Sequence, residues 1–334
     1  MSILITGGAG FIGSHSASLF SDSGYEIVVL DNLSTGRRYN ARWGTFVSGD
    51  VSDMALVRQI LRERGVTTVL HLAASAHVGE SMLRPDAYFS NNVSGSLALL
   101  DAMAAERVSR IVFASSCAVY GNPVSATVRE DEAVHPLSPY GESKLFIERT
   151  LPWYERAFGL RWLALRYFNA AGAEGDLGEE AVRSVRIIPL TVHAALGHGH
   201  PIQIFGTSYP TRDGTAVRDY VHVSDIARAN LLALQFVEQG HPGAVVNIGT
   251  GTGVSVRQII DAVCDETGQS VPFREHLPRG GDAARVIADT ARSRELLGWT
   301  PTQPDLAQIV ASAVGSYRAQ AAVEAGRLRE TVCG

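Results

Sequence analysis

The sequence predicts an α/β fold: a doubly wound parallel sheet with a smaller, loop-rich lobe toward the C-terminus. Three observations predict it. Short apolar runs alternate with helical periodicity through the first half of the chain, a glycine-rich turn follows the first run, and past about residue 170 the alternation gives way to Gly-, Pro- and polar-rich stretches. Runs that are apolar throughout, rather than alternating, suit a sheet buried on both faces, with helices as right-handed crossovers.

Taken in order, residues 3–6, 27–30, 45–47, 68–70, 110–114 and 162–166 are expected strands. Between them, 11–23, 54–64, 93–106 and 140–158 carry apolar residues three and four apart and are expected helices. Residues 172–178, 197–210 and 278–284 read as loops, long enough to be functional rather than idle. A helix over 223–236 and a strand over 244–248 return to the first pattern. The expected division is therefore a dinucleotide-binding domain over 1–170 with 217–250 interleaved into it, and a substrate lobe from 171–216 and 251–330. Residues 327–334 are polar and expected to fray.

Composition removes several classes of function. The 334 residues include 29 basic and 34 acidic side chains, and a formal charge of −5 gives no general pull toward nucleic acid. No apolar run approaches the ~18–20 residues of a membrane span. At 46% hydrophobic, the chain is too apolar to stay disordered. Cys117, Cys264 and Cys333, odd in number and far apart, make neither a disulfide framework nor a metal cluster. Only Met1 and Ser2 precede the first apolar run, so no targeting segment is expected and the chain reads as cytoplasmic.

Residues 7–13 read GGAGFIG, directly after a strand and opening a helix. The tight turn calls for glycine at Gly7, close approach of a pyrophosphate calls for it at Gly10, and packing of helix on strand favours it at Gly13. Alone, such a match marks no more than a strand-helix turn. Asp31, at the end of the second strand and at about the ~20-residue distance of a Rossmann fingerprint, strengthens it. A carboxylate there accepts from both adenosine ribose hydroxyls and repels a 2′-phosphate, so NAD is expected over NADP, although Arg37 and Arg38 lie close behind. Asp50 could reach the adenine edge or simply serve as a turn or helix-capping residue. His71 and His77 lack ligand spacing and are read as structural.

The chemistry is expected where the fifth strand ends in Ser115-Ser116 and a Tyr-x-x-x-Lys pair follows. Tyr140 and Lys144 share a helix face, so the ammonium is expected beside the phenol. Ser-Pro-Tyr-Gly places Tyr140 in the first turn, where the helix dipole favours an anion. A surface Tyr and Lys one turn apart are a common accident, but a dinucleotide motif and a strand-end serine in the same chain favour catalysis. A phenol ionises near pKa ~10, so activity near neutrality needs a shift of ~3 units, or ~4 kcal/mol. One neighbouring cation supplies ~1–3 units, which leaves Lys144 marginal without a positively charged nicotinamide nearby.

These residues resemble a known family over nearly the whole chain. The motifs GGAGFIGSH, DNLSTG, HLAASAHVGES, RPDAYFSNNVSG, SSCAVYG, SPYGESK, LRYFNAAGA, IFGTSYPTRDGTAVRDYVHVSD, NIGTGTGVSV and GGDAARVIAD are similar to those of the UDP-glucose 4-epimerases in the extended short-chain dehydrogenase/reductase superfamily. The resemblance implies reversible inversion at sugar carbon 4 with tightly bound NAD. The Tyr140 phenolate would take the 4-hydroxyl proton, Ser116 would bind the same oxygen, and Lys144 would keep the tyrosine ionised and contact the cofactor ribose. Hydride would pass to NAD and return to the other face of the 4-keto sugar. Phe11, Ile12, Asn32, Val51, Leu72, Ala73, Asn91 and Phe168 would line the NAD site, and Asn169, Phe205, Arg218, Arg279 and Asp282 would hold UDP. Arg218 and Arg279 are suitable forks for phosphate oxygens on an otherwise acidic chain. A homodimer is expected, with helices 93–106 and 140–158 paired across a two-fold axis.

Three positions depart from the family pattern. Ser116 is followed by Cys117 and Ala118. Arg186 stands two residues before Ile188-Pro189, where relatives usually have Asn or His, and could add a phosphate contact or signal another substrate. Val286, four after Asp282, replaces the large aromatic of members that reject N-acetylated sugars, so some turnover of UDP-N-acetylglucosamine is expected. A dehydratase is disfavoured because Cys117 and Ala118 offer no acid-base pair. A uronate or pentose 4-epimerase stays open on Arg186, and a dinucleotide-binding redox sensor is countered by the intact Tyr140–Lys144 pair.

Overall fold

The computed structural model describes residues 1–179, 184–279 and 282–333, of which 321–333 as backbone alone. Its first half lays down six strands: β1 (Ser2–Thr6), β2 (Glu26–Asp31), β3 (Thr45–Ser48), β4 (Val66–His71), β5 (Arg110–Ser116) and β6 (Arg161–Tyr167). Between them run α1 (Phe11–Asp22), α2 (Met54–Glu63), α3 (Val78–Leu83), α4 (Pro85–Tyr88), α5 (Gly95–Ala105) and α6 (Pro139–Phe158). The second half adds β7 (Asn169–Ala171), α7 (Ile187–Ala195), β8 (Ile202–Phe205), β9 (Val217–His222), α8 (Val223–Glu238), β10 (Ala244–Ile248) and β11 (Gly253–Ser255). It ends with α9 (Val256–Thr267), β12 (Phe273–His276), β13 (Arg285–Val286), α10 (Ala291–Leu297) and α11 (Leu306–Cys333).

A seven-stranded sheet in the order β10-β6-β5-β4-β1-β2-β3 is parallel throughout. The chain starts at β1 and winds outward on both sides, so the winding reverses between β1 and β4, where a crevice opens at the strands' C-terminal ends. Burial follows the apolar pattern: Ile3, Leu4, Ile5, Val69 and Val112 are fully enclosed. On one face Phe20 of α1 and Ile226, Ala229, Ala233 and Leu234 of α8 join the core. On the other, Val57 of α2, Leu99 and Met103 of α5, and Ile147 and Leu151 of α6 do so.

The stretch 217–250 divides. Helix α8 and strand β10 belong to this layered core, whereas β9 pairs with β7, β11 and β13 in a small separate sheet. Ile188, Val192, Ile259, Val263, Ile309 and Val310 make a third core around α7, α9 and α11. The helix expected over 93–106 is preceded by a π-helical stretch, Phe89–Ser94, whose wider turn carries Asn91 and Asn92 toward the β4 loop. Where fraying was expected from residue 327, α11 runs on to Cys333, since its start is anchored by Ile309, Val310 and Val314 and good helix formers follow. Gly280 and Gly281 of the GGDAARVIAD motif, and Gly334, lie outside the described residues. No helix among the described residues is long and apolar enough to cross a membrane.

Candidate active site

A cleft of about 1130 Å³ opens along the C-terminal ends of the main sheet and reaches the small sheet. At one end lies the turn after β1. Gly7 has φ +70°, and a Cβ there would stand 2.8 Å from the Ala73 nitrogen. A Cβ on Gly13 would meet the Gly7 carbonyl at 2.3 Å. The turn closes on α1 only because both positions lack side chains. Gly10 caps α1 without a side-chain bond, which leaves the first-turn amides, including those of Phe11 and Ile12, to a ligand.

Asp31 lines the cleft and is braced by the turns it must serve: Oδ2 accepts from the Ala9 amide at 3.0 Å and Oδ1 from the Leu33 amide at 2.8 Å. Burial pushes its carboxyl up and these amides pull it back down. Asp50 also lines the cleft while acting as a turn residue, accepting from Ser52 and, at 2.7 Å, from Asn32; the cap of α2 is Asp53 instead. Val51, Leu72, Ala73, Asn91 and Phe168 complete this wall.

A buried polar string holds the loop after β4. Ser96 donates to the Asn92 carbonyl at 2.5 Å, so toward His71 it accepts, and Nε2 of His71 carries the proton at 2.8 Å. Nδ1 is then an acceptor for the Thr6 hydroxyl at 2.7 Å, and Thr6 in turn receives the Ala73 amide at 3.3 Å. Burial drives His71 down to about 3, which keeps it neutral, as a structural residue must be here. Asn92 ties the Ser75 backbone to Ser143 on α6.

Ser116, Tyr140 and Lys144 all line the cleft. Ser138 caps α6 by accepting from the Gly141 amide at 3.2 Å, and Pro139 occupies the first turn, which fixes Tyr140 at the helix start. Its ring meets Tyr88 edge-on at 6.4 Å. Burial raises the phenol above its ordinary value, while a hydrogen bond with Ser116 and the charge of Arg186 pull it back. Lys144 follows one helical turn after Tyr140 and also lines the cleft. Its ammonium donates to the Ala114 carbonyl at 2.8 Å and lies 5.0 Å from the Phe113 ring centre, and burial brings it down to about 7.

Sequence spacing did not single out the network behind this group. Glu148, one turn beyond Lys144, accepts from Ser115 and from Arg166 at 3.0 and 2.6 Å, and Arg166 donates at 2.9 Å to Tyr120. The signal was present: residues 140, 144 and 148 are polar at helical spacing on a face packed against a strand.

At the far end Arg218 on β9 is registered against Val286 on β13, and both line the cleft with Asn169, Arg279 and Asp282. Asn169 has a buried Nδ2 without a hydrogen-bond partner, a donor aimed at no protein group. Phe205 is the exception among the nominated residues. It does not line the cleft itself; its ring lies 3.6 Å from the Arg279 guanidinium and is stacked on His276 at 5.3 Å. The buried Asp219 accepts from Thr250, Gly251 and Ala288 amides and locks β9 in place. Among the described residues no cluster could hold a metal ion.

The NAD dependent epimerase/dehydratase family model matches residues 3–249. A UDP-glucose 4-epimerase of Streptococcus mutans is 42% identical over 318 residues, 94% of this chain and 96% of the relative. The structure of a UDP-glucose 4-epimerase from Brucella ovis in complex with NAD superposes with TM-score 0.91 at 43% identity, covering 94% of this chain and 98% of that one. A UDP-Glc/GlcNAc 4-epimerase from Campylobacter jejuni gives 0.83 at 34% identity, covering 95% and 99%. The chain therefore belongs to the NAD dependent epimerase/dehydratase family, among its UDP-glucose 4-epimerases.

Proposed function

We propose that the protein interconverts UDP-glucose and UDP-galactose by inverting sugar carbon 4. One observation carries this: a Ser-Tyr-Lys group lies between a dinucleotide cradle and a pair of arginines in one continuous cleft. The glycine turn, Asp31 and the free amides of α1 fit NAD, with Asp31 on the ribose hydroxyls. When bound, NAD supplies the acceptor and donor of the carbon 4 hydride. The Tyr140 phenolate takes the 4-hydroxyl proton and later returns it, and Ser116 holds that oxygen within reach. Lys144 adds positive charge and a donor for the cofactor ribose. Arg218 and Arg279 neutralise the diphosphate, so the sugar can turn while the UDP stays anchored. On this reading 1–170 with 223–250 hold the cofactor, and the remaining segments to 330 hold the sugar nucleotide.

The purified protein, with no cofactor added, should convert UDP-glucose to UDP-galactose. Tyr140→Phe should lose that turnover, by ~10²-fold or more, and still co-purify with NAD. A variant that turns over normally would make the chain a dinucleotide-binding module. Val286 puts a small side chain in the lining, so UDP-N-acetylglucosamine is a second substrate on this reading; Val286→Tyr should abolish its turnover and spare UDP-glucose. A homodimer is supported by the exposed Phe146, Trp153 and Phe158 along α6. Sedimentation of a Trp153→Arg variant at half the wild-type mass would bear it out.

A further inference from the structure

Among the buried charges that the proposed chemistry leaves unused, one pair adjoins the strand end that carries Ser116. Arg166 of β6 is 4% exposed and Glu148 of α6 is 5% exposed. Guanidinium and carboxylate meet fork to fork, Nε to Oε1 at 3.0 Å and Nη2 to Oε2 at 2.6 Å. Such a pair is a weak source of stability, because apolar side chains of similar volume commonly do as well or better. What it adds to the fold is direction, since a planar guanidinium fixes its partners in two bonds at once.

The groups fixed here flank Ser116 along the chain. Before it, the Ser115 hydroxyl donates to Glu148 Oε1, and Ser115 is registered against Arg166 itself. After it comes one 3₁₀ turn, Cys117–Tyr120, which Ser116 caps: its Oγ accepts from the Ala118 amide at 3.2 Å, so the place of the turn sets the place of the hydroxyl. Tyr120 ends that turn. Its hydroxyl accepts from Arg166 Nη1 at 2.9 Å and donates to the buried Asn247 Oδ1 at 2.7 Å, and its ring centre lies 4.8 Å from the guanidinium. One guanidinium therefore grips the chain on both sides of Ser116 and, through Glu148, ties it to α6 one turn beyond Lys144. Arg166, Glu148 and Tyr120 do not line the cleft, so they act on a ligand there through Ser116 and its neighbours. We propose, on the 4-epimerase reading of the site, that Arg166 is a positioning residue for Ser116: with Glu148 and Tyr120 it holds the Ser116 hydroxyl in register with Tyr140 and Lys144 on α6.

The test separates direction from stability. A double Glu148→Leu, Arg166→Met variant removes both charges and leaves neither unpaired, so the fold is kept. Its kcat on UDP-glucose should fall ~10- to 10²-fold, the loss that a misplacement of about 1 Å brings, with KM and the amount of co-purified NAD unchanged. Arg166→Lys keeps the charge and loses the fork, and should not restore kcat. Tyr120→Phe keeps the ring, loses the grip on the turn, and should lower kcat several-fold at constant KM. Wild-type kcat in the folded double variant would make the pair purely structural and overturn the proposal. A fall in kcat matched by a raised KM or by lost NAD would overturn it too, and so would full activity in Arg166→Lys, since charge alone would then suffice. If the double variant does not fold, Tyr120→Phe decides: lowered kcat at constant KM supports the proposal and wild-type kcat overturns it. A wild-type protein inert toward UDP-glucose would remove the epimerase reading and the role of Arg166 with it, whereas active wild-type and double-variant proteins together would remove the role of Arg166 alone.

Discussion

Tyr140 and Lys144 are both buried, 9% and 5% exposed, and burial works against the charge each needs. For the phenol, burial raises the pKa and the Ser116 hydroxyl offsets part of the penalty. Tyr140 should therefore titrate lower with oxidised than with reduced cofactor bound, because only the oxidised ring carries a positive charge. Spectrophotometric titration of the two forms measures this, and equal pKa values would remove the coupling. For Lys144, a folded pKa of about 7 against an ordinary ~10.4 means that the folded state binds fewer protons between those values. Stability then rises with pH through that window, and the burden is fully present below about pH 7. Lys144→Met should stabilise the cofactor-free protein, by up to a few kcal/mol below pH 7, with the gain fading by pH ~10.5. Urea melts at the two extremes check the sign.

At the scale of elements, α6 does more than carry the Tyr-Lys pair. Its 140, 144 and 148 face meets the end of β5, and the Glu148–Arg166 ion pair fastens it to β6 with both side chains about 5% exposed. Removing one partner leaves a buried charge unpaired. Glu148→Ala should therefore cost about 3–5 kcal/mol in urea unfolding, and a double Glu148→Leu, Arg166→Met variant much less. Ser138→Ala should cost ~1 kcal/mol through loss of the α6 cap and leave NAD binding intact. The alternation of strands and helices showed where α6 lay to within a residue; that its polar face would meet Ser115 and Arg166 depended on β5 and β6 being neighbours.

Over the whole molecule, the loop after β7 is tied to the segment that follows β2. Asp176, in the loop after β7, accepts from both terminal nitrogens of Arg42 at 3.1 and 2.7 Å and from the Tyr39 hydroxyl at 2.6 Å. Arg42 also stacks on Tyr39 and Trp43, at 4.6 and 4.9 Å from the ring centres. The segment carrying them begins beside Arg37 and Asn40, which line the cleft. Asp176→Ala should let bound NAD exchange several-fold faster, the effect of ~1 kcal/mol for a half-exposed pair. A chase with labelled NAD measures the rate, and an unchanged rate would show that the tie joins these two segments without holding the cofactor.

The sequence by itself determined the parallel sheet and the dinucleotide turn, and it nominated the Ser116, Tyr140 and Lys144 group. Each is local: apolar runs set the strands, Gly7 and Gly13 answer to atoms within a few residues or the adjoining strand end, and Tyr140 and Lys144 are one helical turn apart. Only the tertiary structure decided where charge goes. It sent the Lys144 ammonium to a strand carbonyl, brought Arg186 to the cleft 46 residues after Tyr140 in sequence, set Phe205 against Arg279, and moved β9 into the small sheet. These placements depend on which elements become neighbours, and burial then decides which polar groups must find partners. Spacing along the chain carries neither.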